Sequence, residues 1–108
     1  MLVRESAYAG VAGPVAILSF SKGGFIIEKV SAGMYEKDTA DGVLTILIDS
    51  GGLIMDLLSR APLSPTAHKY QVSGPFVVME GDKLAAKISY HSAALGGRLD
   101  MTAYIREG

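Results

Sequence analysis

The tetrapeptide Asp49-Ser50-Gly51-Gly52, set between the apolar runs Val43–Ile48 and Leu53–Leu58, constrains this chain more than any other stretch. Asp and Ser side chains bond nearby backbone, and glycine accepts the positive φ that a tight turn demands. The stretch from Asp41 to Pro65 therefore reads as a β-hairpin. A short helix over Leu53–Arg60, capped by Asp49 or Ser50, is the local alternative. Leu and Met favour helix, and periodicity cannot separate helix from strand in so short a run. Pro62 and Pro65 bar a regular helix or central strand from Ala61 to Pro65.

The same punctuation recurs along the chain. Val15–Phe20 and Phe25–Val30 flank Ser21-Lys22-Gly23-Gly24 and read as a second hairpin. Period-two counting puts Phe25, Ile27 and Lys29 on one face, and Ile26, Glu28 and Val30 on the other. By the same count Ile54, Asp56 and Leu58 share a face. Ser6–Pro14 is an irregular or extended lead-in, and Thr66–Val72 is one helical turn after Pro65. Phe76–Glu80 is a short strand ending at the turn Gly81-Asp82. Lys83–His91 alternates, with Leu84, Ala86, Ile88 and Tyr90 opposed to Ala85, Lys87, Ser89 and His91. After Leu95-Gly96-Gly97, Arg98–Ile105 sets Leu99, Met101, Ala103 and Ile105 against Arg98, Asp100, Thr102 and Tyr104. These patterns predict a mainly β fold, an antiparallel β-sandwich or open β-barrel with at most one short helix. At 108 residues the chain is expected to be a single domain, 1–108.

Composition narrows the function. Only 19% of residues are charged, against about 25% in typical domains. Either partner subunits cover part of the surface or the chain is a sheet-rich monomer. The formal net charge is −1, so no basic field draws nucleic acid. There is no cysteine, which excludes disulfides and thiolate chemistry. No apolar run approaches the roughly 20 residues of a membrane span. Met1-Leu2-Val3-Arg4-Glu5 develops no apolar signal-peptide core, so synthesis in the cytoplasm and no membrane partner are expected.

No catalytic, cofactor or metal site is legible. His68 and His91 lie in unrelated contexts, too few for a transition-metal site and unsupported as members of a triad. Asp38 and Asp41 read as a solvated charged loop rather than an acid–base pair. Gly23-Gly24, Gly51-Gly52 and Gly96-Gly97 lack phosphate-loop spacing and mark turns between strands. The long polar segment Ser31–Gly42 stands out, because loops of that length in small domains tend to be functional. Its residues Met34, Tyr35, Glu36, Lys37 and Asp38 are candidates for a subunit interface, since Tyr and Met are enriched at interfaces. The alternative is that Met34 and Tyr35 fold back onto the chain's own core.

A resemblance adds to this reading. Gly24-Phe25-Ile26-Ile27-Glu28, then Ala40-Asp41-Gly42, Ser50-Gly51-Gly52, Leu57-Leu58, Ala61-Pro62 and Ser64-Pro65, taken in order, resemble the core of the phage tail tube proteins. The resemblance implies a structural virion protein that forms hexameric rings, stacked into a tube through which DNA passes without tight binding. It implies partners in self and other tail proteins, no cofactor, no enzymatic activity, and residence in the virion tail after synthesis in the host cytoplasm. Alternatives are a capsid decoration or tail-completion module, or a small ligand-binding or enzymatic β-barrel.

Overall fold

The computed structural model describes residues 1–8, 14–35, 42–64, 66–90 and 97–108. Among these, the turn-bounded apolar runs become eight strands: β1 (Leu2–Tyr8), β2 (Val15–Ser19), β3 (Phe25–Tyr35), β4 (Val43–Ser50), β5 (Leu53–Pro62), β6 (Lys69–Val78), β7 (Lys83–Ser89) and β8 (Arg98–Glu107). No helix occurs among the described residues, so strand replaces the helical alternative at 53–60, and β6 begins where a helical turn was expected.

Pairing is nested. β1 pairs with β8, β2 with β7, β3 with β6 and β4 with β5, all antiparallel. The pairs β3–β8 and β4–β7 join them into two four-stranded sheets, ordered β1-β8-β3-β6 and β2-β7-β4-β5. This is the winding of a double-sheet jelly roll. It decides for the sandwich over the open barrel.

The central hairpin forms as expected. Gly51 and Gly52 have φ of 61° and 92°, the two positive values of a type I′ turn. Asp49 Oδ1 accepts the Gly52 N–H at 2.8 Å. The expected hairpin of Val15–Phe20 with Phe25–Val30 does not form, because β2 and β3 lie in opposite sheets. The end of β2 is tied instead to the turn before β7. Phe20 N donates to Asp82 O at 2.9 Å, and Gly81 N donates to Phe20 O at 2.8 Å.

The core fills the space between the sheets. Ile27, Val30, Leu44, Ile46, Leu84, Ile88, Leu99, Met101, Ala103 and Ile105 are buried in one cluster. Burying each large member contributes about 1.5–3 kcal/mol, and together they fix which face of every strand points inward. β3 departs from a strict period of two. Its pairing shifts between Ile27 and Lys29, and Ile27 and Val30 both reach the core. The expected separation of those two side chains onto opposite faces is therefore corrected.

Ser31–Tyr35 is likewise strand rather than loop. Ala32 and Met34 point into the core while Ser31 and Tyr35 stay partly exposed, so alternation continues beneath small and polar residues. Gly33 is needed there because a Cβ would collide with the backbone of His68 and Lys69 as β6 passes.

Candidate functional site

The site lies on the outer face of the β2-β7-β4-β5 sheet. Its origin is an irregularity in β5. Between the pairs Leu44↔Ala61 and Ile46↔Leu58, β4 has one residue, Thr45, where β5 has two, Ser59 and Arg60. A second bulge follows, because Leu47 pairs with Asp56 and leaves Leu57 as the extra residue. Asp56 thus points outward with Leu47 while Leu58 turns toward the core, which corrects the expectation that Asp56 and Leu58 share a face.

The first bulge places Arg60 at φ 51°, a left-handed conformation. Tyr90, just past the end of β7, has φ 62°. These are the only non-glycine residues with positive φ among the described residues. Such a conformation costs about 1–3 kcal/mol in each case, and such residues cluster at functional sites. Here the two come together. The Arg60 guanidinium carbon lies 5.6 Å from the centroid of the Tyr90 ring, and Nη2 lies 3.4 Å from the Tyr90 hydroxyl. Thr45 Oγ1 accepts the Arg60 backbone N–H at 3.2 Å, which satisfies a donor the bulge would otherwise orphan.

Thr45, Asp56, Ser59, Arg60, Lys87, Ser89 and Tyr90 line a depression of about 250 Å³. Tyr90 is 75% exposed. Lys87 is paired across the sheet with Thr45, so Lys87 and the bulge flank the buried threonine from its two neighbouring strands. Neither Asp56 nor Lys87 is in an ion pair with another described residue. The depression therefore offers one aromatic face, three hydroxyl-bearing side chains besides the tyrosine, and three charged groups, two of them positive. It can hold a polar ligand, and no hydrogen bond joins a nucleophile to a base among its described lining residues.

The outer face of the other sheet carries a different arrangement. The Asp100 carboxylate accepts from Arg4 Nη2 at 2.8 Å, from Arg98 Nε at 3.0 Å and from the Ser6 hydroxyl. Burial pushes this carboxyl up, but the bonds from Ser6, Arg4 and Arg98 and the Arg4 charge outweigh it, holding the group below its ordinary value. The cluster ties β1 to β8. A depression of about 350 Å³ lies beside it, yet its central acid is only 7% exposed and already committed to three donors.

The residues singled out from sequence lie elsewhere. Met34 is 4% exposed and part of the core, as the fold-back alternative had it. Tyr35 packs edge-on against His68 with centroids 5.8 Å apart. His68 Nδ1 lies 3.1 Å from the Met34 carbonyl; since a carbonyl only accepts, the nitrogen donates. His68 is thus a half-buried structural residue rather than loop surface. Glu36, Lys37, Asp38, Asp41 and His91 lie outside the described residues. No group of three potential metal ligands occurs among the described residues. Sequence reasoning missed Arg60 and placed Tyr90 on the inner face with Ile88. A break in backbone conformation after Ser89 turns the ring outward, and no residue pattern announces it.

No protein-family model and no curated protein matches the chain. Solved structures do. A Clostridium perfringens module, CpGH89CBM32-4, in complex with GlcNAc-α-1,4-galactose, matches with TM-score 0.62 and 9% identity over 90% of this chain and 69% of that one. Chitosan-binding module 1 from a Paenibacillus chitosanase/glucanase matches with TM-score 0.56 and 11% identity over 94% and 76%. The Drosophila NLP core, described for pentamer formation and histone binding, matches with TM-score 0.52 and 8% identity over 99% of each chain. At such identities the likeness is one of fold.

The tail-tube reading is corrected by these findings. The fold is that of small β-sandwich modules, and none of these matches is a tail-tube protein. The motif series from Gly24 to Pro65 is strand-and-turn punctuation: its first strand belongs to one sheet and its hairpin to the other. The stacked hexameric ring and viral tail that followed from the series fall with it.

Proposed function

We propose that this chain is a non-catalytic carbohydrate-binding module whose ligand seats on Tyr90 in the Arg60–Lys87 depression. One observation carries the reading: two residues with strained backbone, Arg60 and Tyr90, are brought together so that an exposed aromatic residue lines a polar depression. A pyranose has an apolar C–H face and a rim of hydroxyls. Tyr90 offers a flat surface for the first. Arg60, Lys87, Asp56, Ser59 and Ser89 offer donors and acceptors for the second, and those from charged groups give the stronger bonds. The ligand-bearing β-sandwich module with which the fold is shared adds support.

The test is calorimetric titration of the purified chain with a panel of neutral and charged oligosaccharides. Saturable binding that Tyr90→Ala reduces at least tenfold is the expected outcome. Binding left intact by that substitution, or none across the panel, refutes the assignment.

A further inference from the structure

We infer that the sugar this site prefers carries an anionic substituent, a carboxylate or a sulfate. The inference rests on the binding-module reading above. Lys87 and Arg60 flank Thr45 from neighbouring strands, which are spaced about 4.8 Å apart. The two strands beside the buried Thr45 thus each supply a cationic side chain to the lining of the depression. Lys87 has no ion-pair partner among the described residues, and Arg60 spends its guanidinium on the face and hydroxyl of Tyr90 rather than on an acid. Asp56 is the single acid among the described lining residues, whose charges sum to one positive unit in a chain whose formal net charge is −1. A sugar held in the depression beside Tyr90 presents its ring substituents to this pair. A planar carboxylate or a tetrahedral sulfate there accepts from the guanidinium and the ammonium together, and a neutral hydroxymethyl group cannot match those charge-assisted bonds.

The experiment compares two matched pairs of ligands by calorimetry in 50 mM and 500 mM NaCl: a galacturonic acid trisaccharide against its methyl ester, and a sulfated galactose oligosaccharide against its unsulfated parent. The expected result is tighter binding of the anionic member in at least one pair, by about threefold or more at low salt, with the preference shrinking at high salt. The pair that discriminates identifies the anion. Lys87→Gln should lower the ratio of anionic to neutral affinity, and Asp56→Asn should raise it. Opposite shifts of one ratio by two surface substitutions are not produced by a general loss of folding. Equal affinity for acid and ester and for sulfate and parent overturns this inference and leaves the carbohydrate reading standing. Failure of all four ligands to bind overturns this inference, and overturns the carbohydrate reading too when no other sugar of the panel binds.

Discussion

At the scale of single residues, the backbone separates function from structure. Arg60 and Tyr90 adopt left-handed conformations that side chains with a Cβ resist by about 1–2 kcal/mol. Glycine adopts them freely. In an ordinary strand alanine is more stable than glycine by roughly 0.5–1 kcal/mol. At Tyr90 the order should reverse, with Tyr90→Gly melting above Tyr90→Ala by several degrees, since about 1 kcal/mol moves the midpoint by about 4–8 °C in a domain of this size. Both variants should lose sugar binding; a glycine variant that melts below the alanine one would remove the argument from strain. Asp100 behaves as a structural residue. Its carboxyl is held below its ordinary value of 3.8 in the fold, so its contribution is fully present above that value and is lost as pH falls through the lower, folded one. Denaturant titrations should therefore show wild type ahead of Asp100→Asn at pH 7, with the gap closing below about pH 4. A gap independent of pH would mean that the ion cluster does not stabilise the fold.

At the scale of elements, the parts legible from sequence are those that obey period two. The β4–β5 hairpin follows from Asp49-Ser50-Gly51-Gly52, and the inner faces of β7 and β8 follow from Leu84, Ala86 and Ile88 and from Leu99, Met101, Ala103 and Ile105. Each failure falls where something other than alternation decides. The bulge after Ile27 turns Val30 onto the core face, and the bulge at Leu57 separates Asp56 from Leu58. An extra residue leaves no mark in composition, so a strict count slips by one beyond it. The bulge that makes the site, at Ser59-Arg60, is of this kind. Ser31–Tyr35 was hidden for a different reason. Ser31, Ala32 and Gly33 are small, but Ala32 and Met34 are buried in the core, and tertiary burial outweighs weak local strand propensity.

At the scale of the whole molecule, nested pairing explains why local signals misdirected the topology. In a jelly roll most partners are distant in sequence: β1 meets β8, and β2 meets β7. Neighbouring apolar runs separated by a glycine turn suggest hairpins, yet the turn between β2 and β3 passes from one sheet to the other. The fold leaves two outer sheet faces, one with a self-satisfied ion cluster around Asp100 and one with the strained Arg60–Tyr90 depression. The central claim is that ligand recognition belongs to the second face alone. The most direct test follows backbone amide shifts in a nuclear magnetic resonance titration with a bound oligosaccharide. Shifts confined to Thr45, Asp56, Ser59, Arg60, Lys87, Ser89, Tyr90 and their immediate neighbours are predicted, with Ser31, Gln71, Thr102 and Tyr104 on the other sheet unmoved. Shifts centred on that other sheet, with the Arg60–Tyr90 depression silent, would contradict the account.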